Sequence, residues 1–416
     1  MRIQRDMYLE ELKNRMHNGL IKVITGIRRC GKSYLLFEIF TEYLHSIGVS
    51  DDHIIDIEFD KRESLELRNP DNALAFIKSR INDDQDYYIL LDEVQLLESF
   101  EEVLNSLIRI RNADIYVTGS NSKFLSKDVI TEFRGRGDEI HLLPLTFSEF
   151  MKAYDGDVYH GWSEYITYGG LPLITTMKTD RQKVSYLENL FKEVYLKDII
   201  ERNGIEKTQE LENLLNVLAS SVGLLTNAAR IHSTFDSILH SKLSANTIRQ
   251  YLEYLEDSFM VSSAQRYDVK GRHYIGSPLK YYFEDVGLRN ARLGFRQSEE
   301  NHLMENIIYN ELRYRGFSVD IGVVDERNRT SDGVQERKQL EIDFVANLGS
   351  RRYYLQSAFT IPTEEKRIQE KKSLIKISDS FKKIVIVKDV IKTSMDDDGI
   401  MTMNIYDFLL NPSSLQ

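Results

Sequence analysis

Apolar and polar positions follow two different periods along this chain. Residues 20–25, LIKVIT, form an apolar, β-branched run that ends in GIRRCGKSYLLFEIF. The run reads as a strand, and the stretch after it as a glycine-bounded loop and a helix with apolar positions at helical spacing. HIIDIEF, from His53, reads as a second strand. A polar helical segment then leads to YYILLDEVQLL, where residues 87–91 form a buried strand ending in Asp92 and Glu93. ADIYVTGSNSKFL adds a strand that terminates in Thr118, Gly119, Ser120 and Asn121. Apolar strands that each finish in hydrophilic residues predict an α/β parallel sheet with a ligand at its carboxyl edge.

After residue 150 the strand pattern stops. YGGLPLI (168–174) interrupts the chain with two glycines and a proline, a turn or hinge signal. The segment from Tyr186, YLENLFKEVYLKDIIERNGI, is an amphipathic helix with Gly204 as its C-cap, and LENLLNVLASSVG is a second helix. SANTIRQYLEYLEDSFMV opens with capping residues at 244–247 and runs as an apolar-striped helix. SSAQRYDVKGRHYIG and PLKYYFEDVGL then read as strands around a glycine turn. Helices followed by a hairpin predict a winged-helix-like region. Such a module places Arg249 toward a DNA groove, and Lys270, Arg272, His273 and Lys280 lie on its wing. The carboxylates of YLEYLEDS make a poor face for phosphate, so a packing or partner-binding module stays open beside the DNA reading.

The last region begins with a helix, NHLMENIIYNELRYRG, apolar at Leu303, Ile307, Ile308 and Leu312 with Glu305 inside it. A strand, a hydrophilic loop, LEIDFVAN, YYLQSAF, a charged helix around KRIQEKKSLIKIS and the strand KKIVIVKD follow. Helix, three strands, helix, strand is the core order of the PD-(D/E)XK nuclease fold, an α+β arrangement. The expected division is a P-loop domain over 1–155, a helical and winged-helix-like region over 156–294, and a nuclease-like domain over 295–416.

A chain of 416 residues exceeds one ordinary core, in keeping with two or three domains. Hydrophobic residues at 42% and charged residues at 29% give a soluble globular balance. No apolar run approaches the length that crosses a bilayer, and the N-terminal stretch has no apolar core of a secretory signal. A single cysteine, Cys30, cannot form an internal disulfide, which suits a cytoplasmic protein. The net charge of −11 argues against a general basic coat for nucleic acid, while leaving room for a local basic groove.

The chemistry starts at Gly26, Gly31, Lys32 and Ser33, which match G-x-x-x-x-G-K-[ST]. Glycines let the backbone N–H groups wrap a phosphate at a helix N-terminus, Lys32 reaches the β- and γ-phosphates, and the Ser33 hydroxyl ligates Mg²⁺. ATP with Mg²⁺ is therefore the expected cofactor, held by Gly26, Ile27, Arg28, Arg29, Cys30, Gly31, Lys32, Ser33 and Tyr34. Asp92, at a strand end beside that loop, is placed to hold Mg²⁺ through water, and Glu93 to orient and deprotonate the attacking water. Cys30 supplies a backbone N–H; redox control through its thiol is the competing reading.

GIRRCGKS, LLDEVQ, TGSNSKFL and FRGRGDEIHLLPLTFSEF resemble the bacterial and archaeal AAA-family ATPases in which the ATPase is fused to a C-terminal domain of unknown function. That resemblance implies Lys32 and Ser33 as Walker A residues, Asp92 and Glu93 as Walker B residues, Asn121 as the sensor, and Arg136 as the arginine that senses or stabilises the γ-phosphate. Whether Arg136 acts in its own subunit or across an interface stays open. AAA-type proteins often form rings, so a homo-oligomer is raised, with no residue pattern marking its interface.

In the nuclease-like region Glu305 and Asp343 stand where the first two metal-binding acids belong. Gln356 and Ala358 replace the Glu-x-Lys of the third strand. A neutral glutamine and an alanine remove charge the metal site relies on, so the site reads as degraded. Lys366–Arg367, Lys371–Lys372 and Lys382–Lys383 remain as basic pairs suited to nucleic acid. The expected function is thus a slow Mg-dependent ATPase, a nucleotide-driven switch for a C-terminal module that binds a protein or DNA. An ATP-dependent DNA-processing nuclease is the alternative.

Overall fold

The computed structural model describes residues 3–119, 135–237, 243–296, 299–329, 335–389 and 392–416. They group into two compact units, residues 1–144 with 257–259 and residues 145–416 without those three.

The first unit holds α1 (Asp6–Asn14), β1 (Ile21–Thr25), α2 (residues 32–46), β2 (Ile54–Glu58), α3 (Pro70–Arg80), β3 (Tyr87–Asp92), α4 (Phe100–Leu107), β4 (Ala113–Thr118) and β5 (Gly137–His141). The strands form a sheet in the order β2-β3-β4-β1-β5, with every pairing parallel. β1 and β3 are buried along their whole length, as strands covered on both faces must be, which explains their near-continuous apolar runs. Lys22 breaks the β1 run yet is fully buried, because its ammonium meets Asp114 on β4, whose other oxygen accepts from Tyr116 Oη at 2.7 Å. α4 turns Val103, Leu104 and Leu107 into the core beneath β3 and β4.

The second unit opens with α5 (Phe147–Ala153), α6 (Val158–Tyr168), a long α7 (residues 180–203), α8 (Thr208–Ser220), α9 (Ala228–Ser237) and α10 (Ala245–Asp257). β6 (Val261–Asp268), β7 (His273–Phe283) and the short α11 (Val286–Arg292) come next. The chain closes with α12 (Glu300–Tyr314), β8 (Ser318–Arg329), β9 (Gln335–Leu348), β10 (Arg351–Ala358), α13 (Glu364–Ile375), β11 (Lys382–Val387), β12 (Ser394–Met395), β13 (Ile400–Asn404) and α14 (Ile405–Leu410).

The glycine pair after α6 is a docking point. Gly169 adopts φ +75° at the helix end, and the Asp285 carboxylate accepts from Gly170 N at 2.7 Å and from Leu288 N at 2.9 Å. A Cβ on Gly287 would lie 2.0 Å from the Tyr168 carbonyl oxygen, so α11 approaches the end of α6 backbone to backbone. YGGLP and EDVGL, distant in sequence, thus form one tight joint.

The strands of this unit form one mixed sheet in the order β12-β13-β11-β10-β9-β8-β6-β7. The hairpin β6–β7, read from the sequence as a wing, extends the sheet through a parallel pairing of β6 with β8. From α12 to β11 the order is helix, three strands, helix, strand, as the sequence pattern predicts.

Candidate functional site

Two constellations stand out, one in each unit. In the first, β1 delivers the chain to a loop at its carboxyl end. Gly26 takes φ +138° and Gly31 φ +103°, and a Cβ at Gly26 would sit 2.2 Å from the Leu142 carbonyl oxygen. Glycine is the residue that fits there. Arg5 pins the loop from below, donating to the Cys30 carbonyl at 3.2 Å and the Leu143 carbonyl at 2.6 Å. The Cys30 thiol is fully buried, a setting that favours its backbone role over redox chemistry. Ile27 is buried, Arg28 half-buried, and Arg29 and Tyr34 are exposed.

Lys32, at the start of α2, is only 5% exposed and folds back over the loop, donating to the carbonyls of Gly26 (3.0 Å) and Ile27 (3.1 Å). Ser33 donates to Asp92 Oδ2 at 2.8 Å, and Thr118 Oγ1 donates to Asp92 Oδ1. Thr118 Oγ1 also accepts from the Glu93 backbone N at 3.0 Å, so one hydroxyl ties the ends of β3 and β4 together. Burial pushes the Asp92 carboxyl above its usual range, against the hydrogen bonds from Thr118 and Ser33 that pull it down. Glu93 has left-handed backbone (φ +49°), and its carboxylate accepts from Gln95.

Sequence reasoning missed Glu58 and Asp60. Carboxylate oxygens of Glu58, Asp60 and Asp92 lie within 4.8 Å of one another. The reason is the sheet order: β2 pairs with β3 in parallel, with Glu58 opposite Asp92. Two acids closing the alternating run HIIDIEFD were the available signal. All-oxygen donors with a serine hydroxyl beside them fit a hard divalent cation such as Mg²⁺.

Of the remaining expected members, Asn121 lies outside the described residues. Arg136 is not brought to the loop of its own chain: its carbonyl accepts from Ile21 N at 2.8 Å, at the entry edge of the sheet. The cause is strand direction. β5 begins at Gly137 parallel to β1, so the residue before it stands at the opposite edge from Gly26. The Arg136 guanidinium instead reaches Asn105 Oδ1 at 3.4 Å.

The second constellation is buried in the mixed sheet. Glu305 on α12 and Asp343 on β9 are 8% and 7% exposed and do come together, through a lysine that was read as a surface residue of the wing. Lys280, on β7, is 3% exposed. Its ammonium donates to Glu305 Oε1 at 2.9 Å, pairs with Glu341 Oε1 at 2.7 Å, and lies 3.8 Å from Asp343 Oδ1. Tyr282 Oη donates to Glu305 at 2.6 Å, and Ser357 N to Asp343 at 2.8 Å. Burial and the Glu305 charge push the Asp343 carboxyl well above its usual range, against Lys280. For Lys280 burial acts downward, and the three carboxylates more than reverse it. Gln356 buries an amide oxygen without a partner, and Ala358 packs in the apolar cluster with Ile342 and Leu374.

Residues 18–151 match the family model of an AAA domain, and residues 159–299 that of a domain of unknown function (DUF8612). An uncharacterized protein of Haemophilus influenzae is 34% identical over 414 residues, spanning 98% of this chain and 98% of its own. Uncharacterized protein MJ1544 of Methanocaldococcus jannaschii is 30% identical over 362 residues, 82% of this chain and 74% of its own. This chain belongs to that family, which joins an AAA domain to a C-terminal region of unknown function. Among solved structures, the Aeropyrum pernix ORC1 protein in complex with DNA is similar at 12% identity, over 70% of this chain and 92% of that one, with a TM-score of 0.30. No helix of the described residues is long and apolar enough to cross a membrane.

Proposed function

We propose that the protein is a slow Mg-dependent ATPase that works as a nucleotide-driven switch for a partner-binding C-terminal half. The observation that carries the reading is the link from the phosphate loop to the acidic strand, Ser33 Oγ to Asp92 Oδ2 at 2.8 Å, beside a buried Lys32. In this reading backbone N–H groups of residues 26–34 cradle the phosphates, and the Lys32 ammonium exchanges the Gly26 and Ile27 carbonyls for phosphate oxygens. Ser33 and Asp92 would hold Mg²⁺, which neutralises phosphate charge when bound. Glu93 accepts the proton of the attacking water, and Thr118 keeps Asp92 and the Glu93 backbone in register. Asn121 is assigned the sensor role and Arg136 a role across a subunit interface of a homo-oligomer, since it stands away from its own loop.

Binding of a fluorescent ATP analogue tests the nucleotide site. Lys32→Ala should weaken it by roughly 1.5–3 kcal/mol, the worth of a charge-assisted contact. Unchanged affinity in that variant contradicts the assignment.

A second reading rests on Lys280. The nuclease-like arrangement lacks a lysine on β10, and Lys280 brings one to Glu305, Glu341 and Asp343 from another strand. The ammonium is already bound to these carboxylates, which favours a structural ionic cluster over phosphodiester cleavage. Incubation of plasmid and linear DNA with Mg²⁺ or Mn²⁺ separates the two: no cutting is expected, and cutting lost in Asp343→Asn would establish the nuclease.

A further inference from the structure

Three turns meet at one end of the mixed sheet and border an open cavity of about 700 Å³. They are the β6–β7 turn with Lys270 and Arg272, the β9–β10 turn with Gly349 and Ser350, and the segment 377–381 between α13 and β11. Lys270, Arg272, Arg351 and Arg352 line the cavity against a single carboxylate, Asp379. Asp379 is engaged, accepting from Tyr354 Oη at 2.7 Å and from Phe381 N at 3.2 Å. Lys270, Arg272 and Arg351 are exposed.

Arg352 is built in differently. Its Nε donates to Asn347 Oδ1 at 2.7 Å, and its guanidinium lies 5.5 Å from the Tyr267 ring centre and 5.6 Å from that of Phe381. Phe381 is nonetheless 39% exposed, an aromatic ring reachable from solvent beside a fixed cation.

We propose that this cavity binds single-stranded nucleic acid. The cations suit phosphodiester oxygens, and the part-exposed Phe381 ring, backed by the fixed Arg352 guanidinium, suits an unstacked base. A duplex keeps its bases stacked inside a convex cylinder and would leave the Phe381 ring unused. An acidic peptide would answer the charge and leave the rings without a partner. In a chain of net charge −11, such a concentration of cations is local and not part of a general basic coat. The inference names the partner class left open by the proposed function, and it rests on the C-terminal half alone.

The test is fluorescence anisotropy of labelled oligo-dT and oligo-U with the full chain, without ATP. Saturable, salt-sensitive binding is expected, displaced by unlabelled single strand and not by ATP, AMP, duplex DNA or polyglutamate. Arg272→Glu combined with Arg351→Glu should weaken it by roughly tenfold or more, and Phe381→Ala by roughly fivefold or more. Phe381→Trp should retain binding and report it by quenching of its indole fluorescence. Thermal unfolding and DNA-free ATP turnover should stay as in the wild type. No saturable binding, unchanged affinity in the charge-reversed variant, or equal competition by duplex, free nucleotide or polyglutamate would overturn the proposal. A Lys32→Ala protein that loses turnover while still binding oligonucleotide separates this inference from the ATPase reading.

Discussion

Individual side chains explain most of what is unusual in this sequence. A lysine in a central strand is tolerated at position 22 because Asp114 and Tyr116 close its environment. Lys280 is the more informative case. Removing one partner from a buried ionic cluster leaves charge uncompensated, so Lys280→Met should cost roughly 3–5 kcal/mol in urea unfolding. Glu305→Gln added to that variant should recover part of the loss; no recovery would mean that the two groups do not act as a unit. From the sequence Lys280 looked like a wing residue, because strand alternation gives side-chain faces but not which face is covered. Its neighbour two places on, Tyr282, which shares that face, was the overlooked clue. The glycine-bounded loop after β1 is legible for the opposite reason: the spacing of Gly26 and Gly31 encodes a local structure that needs no distant partner.

At the level of elements, the apolar runs announce β1, β3 and β4 and the long helix from Tyr186, which the structure begins at Asp180, since burial on both faces or along one stripe leaves a periodic trace. Strand order leaves none. It is the parallel pairing of β2 with β3 that brings Glu58 to Asp92, and the parallel pairing of β5 with β1 that carries Arg136 away. The joint of α6 with α11 shows the same limit, for its two glycine-containing segments lie far apart in sequence. Gly287→Ala should destabilise the second unit markedly, since the new methyl would meet the Tyr168 carbonyl oxygen at 2.0 Å.

That joint also carries a pH signature. Burial pushes Asp285 up to about 6, against its hydrogen bonds from Gly170 and Leu288. The unfolded value is about 3.9, so the native state holds the extra proton between these values and stability falls as pH rises through that window. Asp285→Asn adds an amide donor, a cost that does not vary with pH. The difference in stability between wild type and variant should therefore change between about pH 4 and 6 and be flat above. A difference that is flat across the whole range would remove Asp285 as its source.

For the molecule as a whole, the chain combines an AAA domain with a second unit that holds a buried ionic cluster and an open basic cavity. Length and composition indicate several folding units, yet the sheet of the second unit draws strands from both sides of the boundary expected near residue 294. A hairpin that joins a sheet formed mostly by later strands has the same local pattern as a free wing, which is why the sequence does not distinguish them. The central claim is that the loop at Gly26 and the acids at the end of β3 hydrolyse ATP. Steady-state phosphate release by the wild type, Lys32→Ala and Glu93→Gln, beside nucleotide binding by each, addresses it most directly. Glu93→Gln should retain binding and lose turnover by roughly 10²–10⁴-fold, the worth of a general base, and Lys32→Ala should lose turnover and bind nucleotide more weakly. Undiminished phosphate release by Glu93→Gln, or release that persists in Lys32→Ala, would contradict the account.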